Sequence, residues 1–551
     1  MILLAAFSTI STASQGSLSS IANATIIDSS NRNRNSEHIL PFQGVNVLGY
    51  YTTMPELTNR TTQHIIPKAY YEKSFEIISR AGMNSIRYLF SWESYEKNPS
   101  LFINELTEVA KAADKSGINV IYDNHQYHIS SWLDPAKGYG FPSFLFKDAI
   151  LNFRVGSGGS SDSPSAREWW TNWYNRTITT VHSDRKTDGW TLQAEFLKKV
   201  VRTVDHYKST LGYEILNEPI IYSVDQWEKL GNYNTFIANA LRTVTNKIIV
   251  FDRQLPSGIG GSIDAVPQNM IKMAPKNIPN LVFKTTLFGI PTACSYAEAR
   301  LNTAARTAQI LGIPLWIGEF NIGISLEAPV AHISQTELNL FVQKFKEMKA
   351  WGWSFWLWSF REHSSSARNY NLVNIEGKTI VTTKYFDYLK NAILSSGTNI
   401  DNERINGSRE ENKSGSVIDT ICPTAVMTQI NGTQSDTNYS LSSPREPVLV
   451  NIGSQCFPDS KILVQGEAYD LGSGIKSVEI HLDGRAFKVV TQQSKGDWSN
   501  WSALVPINDN NTNANAINTT SCGTNHRLSV RVTDNAGNVD YNTVYINLVT
   551  S

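Results

Sequence analysis

Two short apolar segments of the sequence each end in a glutamate. Residues 212–219 read GYEILNEP, and residues 314–320 read PLWIGEF. Because proline cannot continue a central strand, the first segment stops at Pro219 and leaves Asn217 and Glu218 at a strand end. A lone glutamate of this kind is more often a surface or salt-bridged carboxylate. Two of them, Glu218 and Glu319, at two strand ends are the paired carboxylates that glycoside hydrolysis uses.

The elements that must position this pair alternate between short β-rich runs and amphipathic helical runs, which is typical of a parallel sheet. Eight such units within residues 38–396 predict the α/β class and a closed (β/α)8 TIM barrel, whose sites lie at the C-terminal ends of the strands. The predicted strands cover residues 44–47, 85–89, 120–123, 213–216, 248–251, 281–283, 315–317 and 354–358.

One predicted connection is much longer than the others and spans about residues 127–190. It contains an aromatic cluster of Trp169, Trp170, Trp173 and Tyr174. A long loop on a barrel is often functional. The cluster could wall a substrate cleft or form a small core of the loop itself, and the sequence leaves both interpretations open.

Taken in order, six motifs of residues 38–395 resemble those of glycoside hydrolase family 5, the cellulase-like barrels with catalytic glutamates on strands four and seven. The resemblance implies that Glu218 is the acid/base and Glu319 the nucleophile of a retaining mechanism. The six motifs are residues 44–46 (GVN), 85–87 (SIR), 123–125 (DNH), 217–219 (NEP), 318–320 (GEF) and Trp356.

The resemblance also predicts the residues that bind substrate around the two glutamates. Arg87 is a permanent cation that can hold Glu319 ionised. Asn217 can hydrogen-bond the sugar 2-hydroxyl, and His125 can donate to a sugar hydroxyl or to the carboxylate network.

An aromatic residue of the eighth strand is expected to offer a face to the bound sugar. Trp356 is the first choice and Trp358 the alternative, because alternation along a strand would point both side chains the same way.

The sixth strand departs from the family pattern. The family carries His-x-Tyr there, with the tyrosine holding the nucleophile, whereas this strand reads FKTTLF over residues 283–288. Thr286 and Phe288 take the corresponding positions and supply neither group. Tyr127 or Tyr296 could substitute for the missing tyrosine, or the activity could be altered.

The last quarter of the chain has a different composition. Residues 397–420 lose all periodicity and predict a linker, and residues 421–551 predict short strands with turns and no helices, as in a β-sandwich. This part resembles the immunoglobulin-like modules of secreted microbial enzymes. In such a module a Cys456–Cys522 disulfide is expected, with Cys422 as the alternative partner.

Composition limits the remaining classes. Lys plus Arg and Asp plus Glu number 49 each, so nothing favours nucleic acid as a partner. Residues 1–37 resemble a shortened signal peptide followed by a polar leader, and with the frequent glycosylation sequons they predict a secreted or cell-surface protein. No segment is apolar and long enough to span a membrane. We predict a monomer without cofactor or metal.

The leading hypothesis is therefore a secreted retaining glycosidase that cleaves a β-glucan-type polysaccharide, as a cellulase does. The phrase GYEILNEP also resembles the endoglycoceramidase branch of the family, which makes a glycolipid the second substrate class and mannan the third. The hypothesis of a different kind is a glycan-binding surface protein on a barrel that has lost activity.

Overall fold

A computed structural model describes the barrel and the C-terminal strands of the 551-residue chain. The described residues are 42–53, 67–147, 153–161, 163–182, 185–223, 225–253, 267–291, 295–322, 333–360, 371–376, 379–398, 422–434, 448–451, 461–482, 488–489, 491–494, 497–506 and 525–549. The predicted leader, almost all of the predicted linker, and Cys456 and Cys522 lie outside them.

Eight parallel strands close into a barrel in which each strand pairs with its neighbours in the chain and the last pairs with the first. This confirms the predicted TIM barrel. The strands are β1 (Phe42–Leu48), β2 (Ser85–Phe90), β3 (Asn119–Asn124), β4 (Thr210–Glu214), β5 (Ile248–Asp252), β6 (Leu281–Phe288), β7 (Leu315–Asn321) and β8 (Gly352–Phe355).

Helices connect the strands and bury their apolar faces against the outside of the barrel. They are α1 (Pro67–Arg80), α2 (Trp92–Lys97), α3 (Pro99–Ser116), α4 (Phe144–Lys147), α5 (Pro164–Tyr174), α6 (Gly189–Val204), α7 (Gln226–Arg242), α8 (Pro267–Met270), α9 (Tyr296–Leu311), α10 (Gln335–Glu347) and α11 (Lys384–Thr398). A 3-10 turn over Ile271–Met273 follows α8, and two hairpins pair Thr179–His182 with Arg185–Asp188 and Val373–Glu376 with Thr379–Thr382.

The sequence sets the ends of helix α3 clearly. The Asn98 side chain accepts a hydrogen bond from the backbone of Leu101, and Pro99 occupies the first turn, where its missing N–H costs nothing. The helix ends at Gly117, whose φ of 66° is the left-handed conformation that glycine adopts readily. Its buried face then packs in the main hydrophobic core.

The tryptophan cluster of the long third connection belongs to this core. Trp169, Trp170 and Trp173 are fully buried on helix α5. The Trp173 ring lies 5.8 Å from the ring of Tyr233 on helix α7, measured between centroids. The structure thus favours the small-core interpretation over the cleft-wall interpretation for these three rings.

The C-terminal strands form two five-stranded sheets with one shared apolar core. The strands are β9 (Thr424–Ile430), β10 (Thr433–Gln434), β11 (Val448–Asn451), β12 (Lys461–Tyr469), β13 (Ile475–Leu482), β14 (Lys488–Val489), β15 (Thr491–Ser494), β16 (Asp497–Pro506), β17 (Asn525–Asp534) and β18 (Val539–Val549). The sheet orders are β10-β9-β12-β16-β15 and β11-β18-β17-β13-β14.

Helix α9 of the barrel contacts this C-terminal unit. The Asn302 amide donates to the Cys422 carbonyl over 3.1 Å, and the hydroxyls of Thr303 and Tyr469 are hydrogen-bonded. Cys422 is disulfide-bonded, and its partner lies outside the described residues. The expected Cys456–Cys522 bridge therefore stays a prediction. Among the described helices, none combines the length and apolar character needed to cross a membrane.

Candidate active site

The barrel interior is built in layers that follow the two-residue period of its strands. Ile121, Val250, Val282 and Trp316 from β3, β5, β6 and β7 form a separate apolar cluster. Side chains alternate along a strand, so the residues two positions further on face the same interior at the C-terminal end. On β3, β5 and β6 these residues are Asp123, Asp252 and Lys284, and all three are buried. A charged layer thus lies above an apolar floor.

Arg87 on β2 lies at the centre of the charged layer and is fully buried. Its Nη1 donates to Glu319 Oε1 over 2.6 Å, and its Nε and Nη2 donate to the two oxygens of Glu214 over 2.7 and 2.8 Å. Nη2 also lies 2.8 Å from both Asp123 Oδ2 and Asn217 Oδ1. One guanidinium therefore orders three carboxylates from three other strands.

Asn46 on β1 supports this guanidinium. Its Oδ1 accepts from Arg87 Nη1 over 3.0 Å, and its Nδ2 lies 3.0 to 3.2 Å from the carbonyls of Gly318, Ser354 and Phe355. The amide thus satisfies backbone oxygens of β7 and β8 while it orients Arg87.

A break in the strand ladder brings Glu319 to the interior. Trp316 faces inward on β7, so strict alternation would give the next inward position to Gly318. The register between β6 and β7 shifts at this point, and Glu319 lies opposite Thr286. A bulge re-aims side chains in this way. Glu319 is buried with its carboxylate against Arg87.

Glu218 follows β4 rather than lying in it, because the strand ends at Glu214. Its φ is +44°, and its backbone is held on both sides: its N–H donates to Asp252 Oδ2 over 2.7 Å and its carbonyl accepts from Gln126 Nε2 over 3.0 Å. The Oε1 atom is buried and has no hydrogen-bond partner within the described part of the chain. Burial and the nearby charge of Glu319 raise the pKa of Glu218 to about 8.

His125 joins the same network. Its Nδ1 lies 2.6 Å from Asp123 Oδ2, and its Nε2 lies 3.3 Å from Asn217 Nδ2. Burial lowers the pKa of His125 to about 3, so the imidazole is neutral. The consistent arrangement has Nδ1–H donating to Asp123 and Nε2 accepting from the Asn217 amide. The ring stacks between Tyr139 and Trp356, at 5.6 and 6.0 Å between centroids.

The two candidate tryptophans of the predicted eighth strand differ in burial. Trp356 is half-buried, beside His125 and 6.4 Å from the Phe288 ring. Trp358 is fully buried and donates from Nε1 to Ser74 on helix α1, which favours Trp356 over Trp358 as the substrate-binding residue. Strand β8 ends at Phe355, and the alternation that grouped the two rings does not extend past that residue.

Substitution of Trp358 is expected to change stability, whereas substitution of Trp356 is expected to change activity. Trp358→Ala removes a core side chain and should lower the free energy of unfolding by about 3–5 kcal/mol. Trp356→Ala should leave folding nearly unchanged and should lower kcat/KM about 10-fold if this ring is the predicted stacking face for substrate. Denaturant unfolding and initial rates on the same samples check this. A larger stability loss in Trp356→Ala than in Trp358→Ala would contradict it.

The sixth strand departs from the family as predicted from its sequence. Thr286 is buried and its Oγ1 has no hydrogen-bond partner in the described structure, while Phe288 is 37% exposed at the strand end. Tyr127 is 43% exposed, and burial and the charge of Glu218 raise its pKa. Its ring stacks on His128, with 4.2 Å between centroids. The side chain of Tyr296 lies outside the described residues.

Sequence reasoning missed Lys284, which is buried at the centre of the site. Its Nζ lies 2.7 Å from both Asn217 Oδ1 and Asp252 Oδ2, 3.1 Å from Glu214 Oε1 and 3.5 Å from Glu319 Oε1. The signal was available, because a lysine directly follows the apolar run of residues 281–283, but the predicted strand stopped one residue before it.

No group of three or more His, Cys, Asp and Glu side chains among the described residues is arranged to hold a metal ion. The carboxylates of the charged layer are instead contacted by Arg87 and Lys284. The arrangement therefore places Glu218, a buried acid of raised pKa, in the same site as Glu319, whose carboxyl group contacts two cations.

Comparison with known proteins identifies the family of the chain. The model of the cellulase family, glycosyl hydrolase family 5, matches residues 54–362, more than half of the 551 residues. The chain belongs to glycosyl hydrolase family 5. Membership in this family assigns it to the class of glycosidases that act on O-glycosyl compounds.

An endoglycoceramidase of Cyanea nozakii is 25% identical over 218 residues, which are 33% of this chain and 42% of that protein. The match thus spans less than half of that relative's length. Endo-glycoceramidase II from Rhodococcus sp. aligns over 92% of this chain and 97% of its own, with 15% identity and a TM-score of 0.47. An endoglucanase of Pseudomonas stutzeri aligns over 64% and 93%, with 15% identity and a TM-score of 0.40.

Proposed function

We propose that the chain is a retaining β-glycosidase in which Glu218 is the acid/base and Glu319 the nucleophile. The observation that carries this proposal is the contrast between the two carboxyl groups. Glu319 contacts the cations Arg87 and Lys284, whereas Glu218 is buried with a pKa of about 8. A buried carboxyl group of raised pKa suits the acid, and a carboxyl group in contact with two cations suits the nucleophile.

The proposed reaction has two steps. In the first, a Glu319 oxygen attacks the anomeric carbon, the bond to the leaving oxygen breaks, and Glu218 gives that oxygen its proton. In the second, water attacks the anomeric carbon of the glycosyl ester and passes a proton to Glu218, and the Glu319 carboxylate leaves. The contacts of Arg87 and Lys284 fall on Oε1 of Glu319, which leaves Oε2 as the attacking oxygen.

The match to the cellulase family supports a β-glucan-type polysaccharide as the substrate. A β-linked glycolipid is the second candidate, and two observations favour it. The first is that a relative from Cyanea nozakii is an endoglycoceramidase. The exposed Phe288 ring beside Trp356 replaces the polar tyrosine of the family pattern with an apolar surface. Such a surface suits a lipid-bearing aglycone better than a further sugar.

The test is hydrolysis of a panel of β-glucans, β-mannan and glycosphingolipids in detergent, with the anomeric configuration of the first product followed by proton NMR. We expect release of a β-configured product from β-glucan or glycolipid. Hydrolysis of the glycolipid alone would select the second substrate. An α-configured first product would overturn the retaining mechanism, and no hydrolysis of any member would favour the glycan-binding alternative.

We further propose the division of the chain into a leader (1–37), the barrel (38–396), a linker (397–420) and an immunoglobulin-like module (421–551). Two facing sheets with their own apolar core support an independent module. Export to an oxidising compartment is supported by the disulfide at Cys422. We propose that the enzyme acts as a monomer.

A further inference from the structure

We propose that Lys284 is a positioning residue of the reaction and performs, from inside β6, the task for which the family pattern uses a tyrosine at the end of that strand. It would hold Glu319 Oε1 and Asn217 Oδ1 in place and supply a second positive charge beside Arg87. This inference rests on the proposed function.

The barrel makes room for this side chain at Gly318. A Cβ atom at residue 318 would lie 2.5 Å from Lys284 Cε and 2.7 Å from its Cδ and Cγ. Such distances do not occur between real side chains, so the lysine stem passes directly over the glycine. The residue before the predicted nucleophile therefore allows the ammonium group to reach the nucleophile.

The ammonium group of Lys284 uses its three N–H bonds within the site. They can be donated to Asn217, Asp252 and Glu214, over 2.7, 2.7 and 3.1 Å. Its fourth neighbour, Glu319 Oε1 at 3.5 Å, is attracted mainly by charge. A fully buried and fully hydrogen-bonded ammonium is held in one position, as a positioning group must be.

The charges that face Lys284 keep it protonated. Burial and the charge of Arg87 act to lower its pKa, but Asp252, Glu214 and Glu319 outweigh them and raise the pKa above its ordinary value. Asp123 and Glu218 are the further carboxyl groups of the site, and His125 is neutral. Without Lys284, Arg87 would be the one remaining cation in contact with Glu319 among the described residues.

Lys284 also fixes the amide of Asn217. The Oδ1 atom accepts from both Arg87 Nη2 and Lys284 Nζ, over 2.8 and 2.7 Å. With Oδ1 held by two cations, the Nδ2 atom must point the other way, toward Gln126 and His125. In the predicted contact of Asn217 with the sugar 2-hydroxyl, that hydroxyl would replace one of these two Nδ2 partners, so the contact depends on this orientation.

The experiment compares Lys284→Met with the double variant Lys284→Met/Asp252→Asn. The single variant leaves Asp252 without its ammonium partner and could fail to fold for that reason. The double variant removes that carboxylate as well. Lys344 supplies the matched control, because it is a buried lysine on helix α10 that lies 2.7 Å from the buried Glu298. The control variant is Lys344→Met/Glu298→Gln. Each is assayed on an aryl β-glycoside and on its 2-deoxy analogue across pH.

We expect the Lys284 variants to lower kcat/KM about 100-fold and to move the acidic limb of the pH–rate profile upward by about one pH unit, because a single cation then favours the Glu319 carboxylate. The rate ratio between parent and 2-deoxy substrate should also fall, since the Asn217 amide is no longer fixed. The Lys344 control should change stability but neither the limb nor the ratio.

A folded double variant with the wild-type acidic limb and the wild-type ratio would overturn the role of Lys284. Failure of the proposed function would look different. In that case the wild-type protein would not hydrolyse the glycoside, or a 2-deoxy-2-fluoro glycoside would not label Glu319 in the wild-type protein.

Discussion

Glu319→Ala is expected to lower kcat on glycoside substrates by about 10⁶-fold, the size of loss that follows removal of a covalent nucleophile. Arg87 and Lys284 would stay in the site, but the carboxylate that they position for attack would be absent. The substitution also leaves a small cavity beside two cations. We expect sodium azide to enter it, attack the anomeric carbon from the face of the lost carboxylate and restore turnover.

The product of this rescue identifies the role of Glu319. Attack by azide from that face inverts the anomeric carbon once, and no second step follows, so a β-glycoside should yield an α-glycosyl azide by NMR. Glu298→Ala is the control, because Glu298 is a buried carboxylate on helix α9 that pairs with Lys344. It should lose stability without azide-dependent activity. Full activity of Glu319→Ala would sink the nucleophile assignment.

Much of the fold could be predicted because the alternation of strands and helices in the barrel is visible in the sequence. Each strand is an apolar run bounded by polar residues, and the motifs at residues 217–219 and 318–320 mark the ends of strands four and seven. The closed order of eight strands followed from that alternation. The two C-terminal sheets were predicted less completely. The strand Thr424–Ile430 lies next to a predicted linker, and the strand Asp497–Pro506 has no clear alternation of apolar residues.

The site could be predicted only where family motifs mark it. Lys284 and Asp252 were missed because a charged residue at the end of an apolar run reads as the end of a strand. Here the run continues into the interior, and the charges compensate one another there. Such compensation is a property of six strands together and is not visible within one of them.

Trp356 and Trp358 could not be distinguished from the sequence. Alternation applies only while a strand lasts, and β8 ends before Trp356. A sequence window rich in tryptophan cannot show where the ladder stops, because the same residue type serves both a buried core and an exposed sugar platform. Burial distinguishes the two rings: Trp358 is fully buried and Trp356 is not.

Glu218→Gln is expected to show a strong dependence on the leaving group. For substrates with a poorly departing sugar or lipid alcohol, kcat/KM should fall by about 10²–10⁴-fold, the range that general acid catalysis contributes. An aryl glycoside with an acidic phenol needs little protonation, so its first step should be nearly unaffected. The second step lacks its base, and the glycosyl-enzyme should accumulate as an initial burst of phenol.

The pH profile carries the same assignment. The pKa of Glu218 is raised to about 8, so the acid is protonated below that pH and loses its proton as the pH rises through it. Wild-type kcat/KM on substrates with poor leaving groups should therefore fall above about pH 8, and in Glu218→Gln this alkaline limb should disappear. Azide should accelerate the second step of the variant and give a β-glycosyl azide, the opposite configuration to that from Glu319→Ala. An α-glycosyl azide from Glu218→Gln would mean that the roles of Glu218 and Glu319 are exchanged. Equal losses of kcat/KM for good and poor leaving groups would mean that Glu218 is not the general acid.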